Sequence, residues 1–212
     1  MLSEKINVDD ILKLLDSLYG KTLNGVVAVS PPISEFAENY LQKHSTVEKA
    51  TKSMINHQIA KCTTSGFITG FGGVLTIPVT VPANVASVLY VQMRMIACTA
   101  YMAGYDLNCD QVQTFVYACL AGVSVNEFVK KFGIKLGTTI ARQGVKKIPG
   151  KVLIQINQKV GFRLLTKFGE KGLINFGKMV PVVGAVVGGS LDLVETKIIA
   201  NRAYDMFIKN EN

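Results

Sequence analysis

Cys62-Thr-Thr-Ser-Gly66-Phe-Ile-Thr-Gly70-Phe-Gly72-Gly73-Val-Leu-Thr-Ile-Pro78-Val-Thr-Val-Pro82-Ala-Asn-Val-Ala-Ser-Val-Leu-Tyr-Val-Gln-Met93 runs for 32 residues without a charged side chain. Its two prolines argue against one continuous membrane-spanning helix, which needs ~20 uninterrupted apolar residues. The order of breakers predicts a helix end, a glycine-rich turn and a new helix starting at Pro82, where proline is tolerated in the first turn. That helix should continue to about Met102, with Gly104 as its C-terminal cap. It is apolar nearly all round, the pattern of a central buried helix rather than a surface one.

Working outward, residues 8–19 place Val8, Ile11, Leu12, Leu15 and Tyr19 on one helical face, with Gly20 read as the stop. Pro31-Pro32 breaks the chain before a short helix near residues 34–43. Ser45-Thr46-Val47-Glu48 has the capping-box pattern, predicting a helix to about Ser65. Residues 110–131 read as one helix opened by Asp110. Residues 152–168 read as a helix with Lys159, Arg163 and Lys167 at i, i+4, i+8; residues 152–156 are the only stretch that could be a strand. Residues 181–208 read as one long helix with a small-residue start. The expected fold is all-α: a single domain over 1–212 of about six to eight helices around an apolar, glycine-rich central helix pair. Residues 1–44 form N-terminal amphipathic helices and 45–208 the core.

Composition sets this chain apart. Hydrophobic residues make up 49% and charged residues only 18%, against ~25% charged in typical soluble domains. Apolar patches are therefore expected to be exposed, or shielded by a partner or lipid. The charge is also lopsided: residues 1–106 balance eight basic against eight acidic side chains, while 107–212 carry fifteen basic and seven acidic, the whole net +8. Residues 128–180 hold twelve Lys/Arg and a single acid, Glu170. Such a segment attracts an anionic surface, with Lys146, Lys147, Lys151, Lys159, Arg163 and Lys167 as membrane-docking candidates. Nucleic acid is disfavoured, because Phe132, Phe162, Phe168 and Phe176 fall at core spacings rather than on a stacking platform.

No catalytic centre is legible. Gly172-Leu-Ile-Asn-Phe-Gly-Lys178-Met179 spells most of a phosphate-binding loop, but Met179 stands where Ser or Thr must hold magnesium, and no buried strand precedes it. His44 and His57 lack neighbours at ligand spacing, so neither a metal nor a cofactor is expected. Cys62, Cys98, Cys109 and Cys119 form no C-x-x-C pair and suit a reducing compartment. The start of the chain runs into Asp9 and Asp10 rather than an apolar stretch, which predicts no secretory signal.

Gly66-x-x-x-Gly70 and Gly184-x-x-x-Gly188 lie in the two most apolar stretches and are candidates for close helix packing. Phe67, Phe71, Leu75, Val183 and Val187 would line an apolar groove there. Arg94 is the only charge between Cys62 and Tyr105. In so apolar a setting it needs a partner: Asp192 or Glu195 in a buried ion pair, the preferred reading, or a lipid phosphate or carboxylate.

Residues 66–78 together with Val81-Pro82, Arg94-Met-Ile-Ala97 and Ala103-Gly-Tyr-Asp106 resemble the core of the EcsC family. Val180-Pro-Val-Val-Gly-Ala-Val-Val-Gly-Gly189, Thr196 and Ala203 are similar to that family's C-terminal signature, so the resemblance covers about 45–208. It implies a bacterial cytoplasmic protein, in some cases encoded beside an ABC transporter. There is also similarity to the senescence domain of plant and spartin-like proteins, which is associated with lipid. Hydrolase and ATPase labels attach to relatives, but no residue set here supports either. The expectation is a non-catalytic lipid-binding or peripheral membrane protein on the inner membrane face. The alternatives are a helical protein–protein or self-association module, and then an uncharacterised hydrolase.

Overall fold

The computed structural model describes residues 6–63, 83–133, 142–168 and 184–209, with the side chains of 62–63, 83–84, 142–143, 168 and 184–192 outside that description. The described elements are α1 (Val8–Asn24), α2 (Ile33–Leu41), α3 (Val47–Thr63), α4 (Ala83–Met102), α5 (Asp110–Ala121), α6 (Val125–Lys131), α7 (Arg142–Val145), α8 (Gly150–Phe168) and α9 (Gly184–Phe207). The fold is all-α. Among the described residues the only β pairing is an isolated bridge between Val26 and Ser30.

α4 is the axis. It starts after Pro82 and ends where Gly104, at φ 78°, turns the chain; the Gly104 and Tyr105 amides return to the carbonyls of Tyr101 and Ala100 at 2.8 and 3.0 Å. Window Val85–Met102 is long and apolar enough to cross a membrane, yet 83% of it is buried inside the protein. Helices α1, α2, α3, α5 and α9 pack around it. Its polar side chains are met inside: Gln92 Nε2 donates to Thr196 Oγ1 of α9 at 3.0 Å, tying the central pair together.

α8 forms a second layer, packed on α1, α5 and α6. Residues 152–156 lie within it and are helical, not strand. Val152, Leu153, Ile156, Val160 and Leu164 form its buried face. Gly161 makes the approach to α1 possible: a Cβ there would lie 2.7 Å from Val8 Cγ1 and 3.3 Å from the Val8 carbonyl oxygen.

Three boundaries differ from the sequence reading. α1 passes through Gly20 and stops at Gly25, whose φ of 76° and proximity to the Ser30 and Pro31 backbone leave no room for a side chain. A mid-helix glycine costs only ~1 kcal/mol, and the buried face continues past it to Thr22. α3 is capped by Thr46 rather than Ser45, since Thr46 Oγ1 accepts the Lys49 amide at 3.2 Å. The helix expected over 110–131 is two helices, because Gly122 adopts φ 68° and the Val123 amide turns back to the Ala118 carbonyl at 2.8 Å.

Candidate functional site

The outer face of α8 carries the chemistry that distinguishes this surface. A 19-residue helix with no acidic side chain, it spans about 28 Å. Away from its buried stripe it exposes Lys151 and Lys159 together with Ile154 and Phe162, while Arg163 falls on the side of Val152 and Ile156 and turns toward α5. Ile154 is 59% exposed and Phe162 56%. Spacing placed Phe162 in the core; the structure places it outside, because its position at 100° per residue falls opposite Val160 and Leu164. Lys151 Nζ lies 5.3 Å from the Phe132 ring centroid, a cation–π contact that orients the lysine at the start of the face.

At the C-terminal end of α8 the face turns into a groove of about 590 Å³ between α8, α9 and the end of α5. Leu120, Leu164, Val194 and Ile198 make its apolar walls, and Arg163, Lys167, Arg202 and Glu195 its charged rim. Val194 and Ile198, one turn apart on α9, are 55% and 45% exposed. Arg163 Nη1 donates to the Gly122 carbonyl at 2.7 Å. The Arg202 guanidinium occupies the space a Gly122 side chain would need, with Nη1 2.5 Å from the ideal Cβ position. Both cations therefore converge on the C-terminus of α5, the negative end of its helix dipole. Burial pushes the adjacent Cys119 thiol up to about 12, with Arg202 pulling the other way.

Of the basic residues singled out by sequence, Lys159, Arg163 and Lys167 share this end of α8. Lys146 and Lys147 precede the helix, beyond its opposite end. Lys146 pairs there with Asp106 at 3.3 Å. The Asp106 carboxyl is held below its ordinary value by the Asn108 backbone amide first and by Lys146 second.

Arg94 needs a correction. Glu195 is not its partner: Glu195 pairs with Lys167. Arg94, only 4% exposed, instead donates from Nη1 to the carbonyls of Pro31 at 2.9 Å and Thr22 at 3.4 Å. Its guanidinium carbon lies 4.8 Å from the Phe36 ring centroid and 5.9 Å from that of Tyr90. Thr22 belongs to the last turn of α1, whose terminal carbonyls have no partner within the helix. The Tyr90 hydroxyl reaches the neighbouring Lys21 carbonyl at 3.4 Å and Ser30 Oγ at 2.7 Å. Two side chains of α4 thus clamp the α1–α2 connection, and a helix end, a carbonyl and two aromatic faces stand where the Glu195 carboxylate was expected.

Phe67, Phe71, Leu75, Val183, Gly66 and Gly70 lie outside the described residues, as do the side chains of Val187 and Asp192. Gly184 and Gly188 lie within the turns of α9 whose surroundings are likewise outside. The close-packing glycine that the structure does show, Gly161, stands in no G-x-x-x-G spacing.

These features define a class: an all-helical protein built on one sheathed apolar helix, with a basic, partly apolar second layer. The chain belongs to the EcsC protein family, matched over residues 9–208. The match takes in the N-terminal helices that the sequence reading had set apart at 45. No curated protein and no solved structure matches the chain.

Proposed function

We propose that this protein is a non-catalytic peripheral membrane protein that docks on anionic lipid, on the cytoplasmic face, through the outer face of α8. The carrying observation is the pair Ile154 and Phe162, both more than half exposed beside Lys151 and Lys159 on a helix without an acid. Large apolar groups surrounded by cations on one helix face suit the headgroup boundary of a bilayer, where the rings and aliphatic tips enter the acyl region and the lysines stay at the phosphates. Each well-placed basic residue contributes about 1 kcal/mol near an anionic surface. Burying the exposed half of Phe162 adds about 1–2 kcal/mol.

The test is flotation with vesicles of phosphatidylglycerol in phosphatidylcholine, and of phosphatidylcholine alone, at low and high salt. Binding is expected only to the anionic vesicles and should weaken as salt screens the surface. Phe162→Ser, which changes no charge, should lower it by roughly fivefold or more. Salt-independent flotation on neutral vesicles, or Phe162→Ser binding like the parent, refutes docking by this face.

A further inference from the structure

The groove at the end of α8 holds more cation than its own acid can balance. Glu195 is taken by Lys167, and Arg163 and Arg202 have no carboxylate partner among the described residues. Both guanidiniums meet at Gly122, one on its carbonyl and one over the space left by its missing side chain. A lone basic residue on a surface points into water. Two arginines from different helices at one residue make a fork for an oxyanion, since planar guanidiniums grip phosphate oxygens in pairs. Directly beside that fork stand Val194 and Ile198, about half exposed on the same wall. Free phosphate would leave that wall wet, whereas an amphiphile covers it.

We propose that the α8–α9 groove binds one anionic phospholipid, its phosphate between Arg163 and Arg202 and its glycerol and first acyl carbons along Leu164, Val194 and Ile198. The inference rests on the docking reading, because the groove opens at the C-terminal end of the helix whose outer face docks. A headgroup entering the groove would come from the bilayer on which that face rests. It goes further in making one lipid a stoichiometric ligand rather than part of a charged surface. The charge balance of the described lining selects an anionic headgroup: with Lys167 matched to Glu195, a single phosphodiester still leaves Arg163 and Arg202 in excess.

Thermal melting of the full chain with short-chain phosphatidylglycerol below its micellar concentration separates the possibilities, with inorganic phosphate as the second ligand. Vesicle flotation runs in parallel. Parent protein should be stabilised by the soluble lipid and not by phosphate at equal concentration. Arg202→Gln should lose about tenfold or more in affinity, as expected for removing a charged hydrogen-bonding group. Lys43→Gln, an equal charge change on a distant exposed lysine, should bind like the parent. Arg202→Lys and Arg163→Lys keep the charge but not the fork, and carry the test should Arg202→Gln fail to fold. If vesicles bind while soluble lipid does not, and the arginine variants match Lys43→Gln, the groove inference falls and the docking reading stands. If soluble lipid binds in an Arg202-dependent way while vesicles do not, the groove stands and docking falls. Stabilisation by phosphate equal to that by lipid overturns the lipid as occupant.

Discussion

Replacing Arg94 with methionine keeps an unbranched apolar stem and removes the guanidinium with its charge, so it tests what that group does at the end of α1. The loss begins with the 2.9 Å bond to the Pro31 carbonyl, about 1.5–3 kcal/mol for a charged donor. The 3.4 Å contact to Thr22 contributes less, and the Phe36 ring at 4.8 Å adds up to ~2 kcal/mol in a desolvated setting. Working against this, methionine relieves the desolvation of a buried cation. It also removes Nη2, a buried donor with no partner among the described residues, worth ~1–3 kcal/mol. The net expectation is a destabilisation of about 1–3 kcal/mol, below the ~3–5 kcal/mol that follows breaking a buried ion pair. Because Glu195 pairs with Lys167, Arg94→Met and Glu195→Gln should add to within ~0.5 kcal/mol. Urea unfolding of the four proteins of this cycle, followed by far-UV circular dichroism, reads both quantities. A loss above ~4 kcal/mol with a coupling to Glu195 above ~1 kcal/mol would restore the carboxylate partner and refute the clamp. An Arg94→Met protein as stable as the parent would refute it from the other side.

Two further outcomes follow from the packing. Gly161→Leu should destabilise by ~1–3 kcal/mol, since even its Cβ would press on Val8 of α1; a variant melting like the parent would show that α1 and α8 are not in contact there. Stability should also fall in alkali. Burial raises the Cys98, Tyr19 and Tyr117 groups and takes Cys119 from 9.0 to about 12. Above pH ~8.5 the unfolded thiols release protons that the folded ones retain, which favours unfolding. The urea midpoint should therefore hold below that pH and decline from it toward 12, less steeply in a Cys98→Ala/Cys119→Ala protein. A flat profile to pH ~10 would contradict the burial of these thiols.

Much of the fold was legible because local rules and burial agreed. The charge-free stretch, Pro82 and Gly104 located α4 to the residue at its C-terminal turn. Where the rules competed, the reading slipped. Gly20 and Gly25 are both plausible stops, and only the Ser30–Pro32 backbone beside Gly25 decides between them. The break at Gly122 had a local signal, since Ser124-Val-Asn-Glu127 repeats the capping pattern that was used at Ser45, although no side-chain cap forms there. The groove was half visible: Arg163 and Lys167 could be read off one helix, but Arg202, 39 residues beyond Arg163, joins them only through the packing of α9. Arg94 is legible as the exceptional charge, but its bonds to the Pro31 and Thr22 carbonyls are not, because backbone carbonyls have no letter in a sequence.

The sheathing of α4 has a consequence for how the chain is made. By length and mean hydropathy α4 could cross a bilayer, and what distinguishes it from a membrane segment is Arg94 near its middle and the cover around it. Part of that cover, α1 to α3, leaves the ribosome first, but α9 is completed only at Phe207, 105 residues after Met102. At about 5–20 residues per second, that interval lasts roughly 5–20 s. For that time a segment with the hydropathy of a bilayer span stands partly uncovered, and its fate rests on how quickly the N-terminal helices close over it.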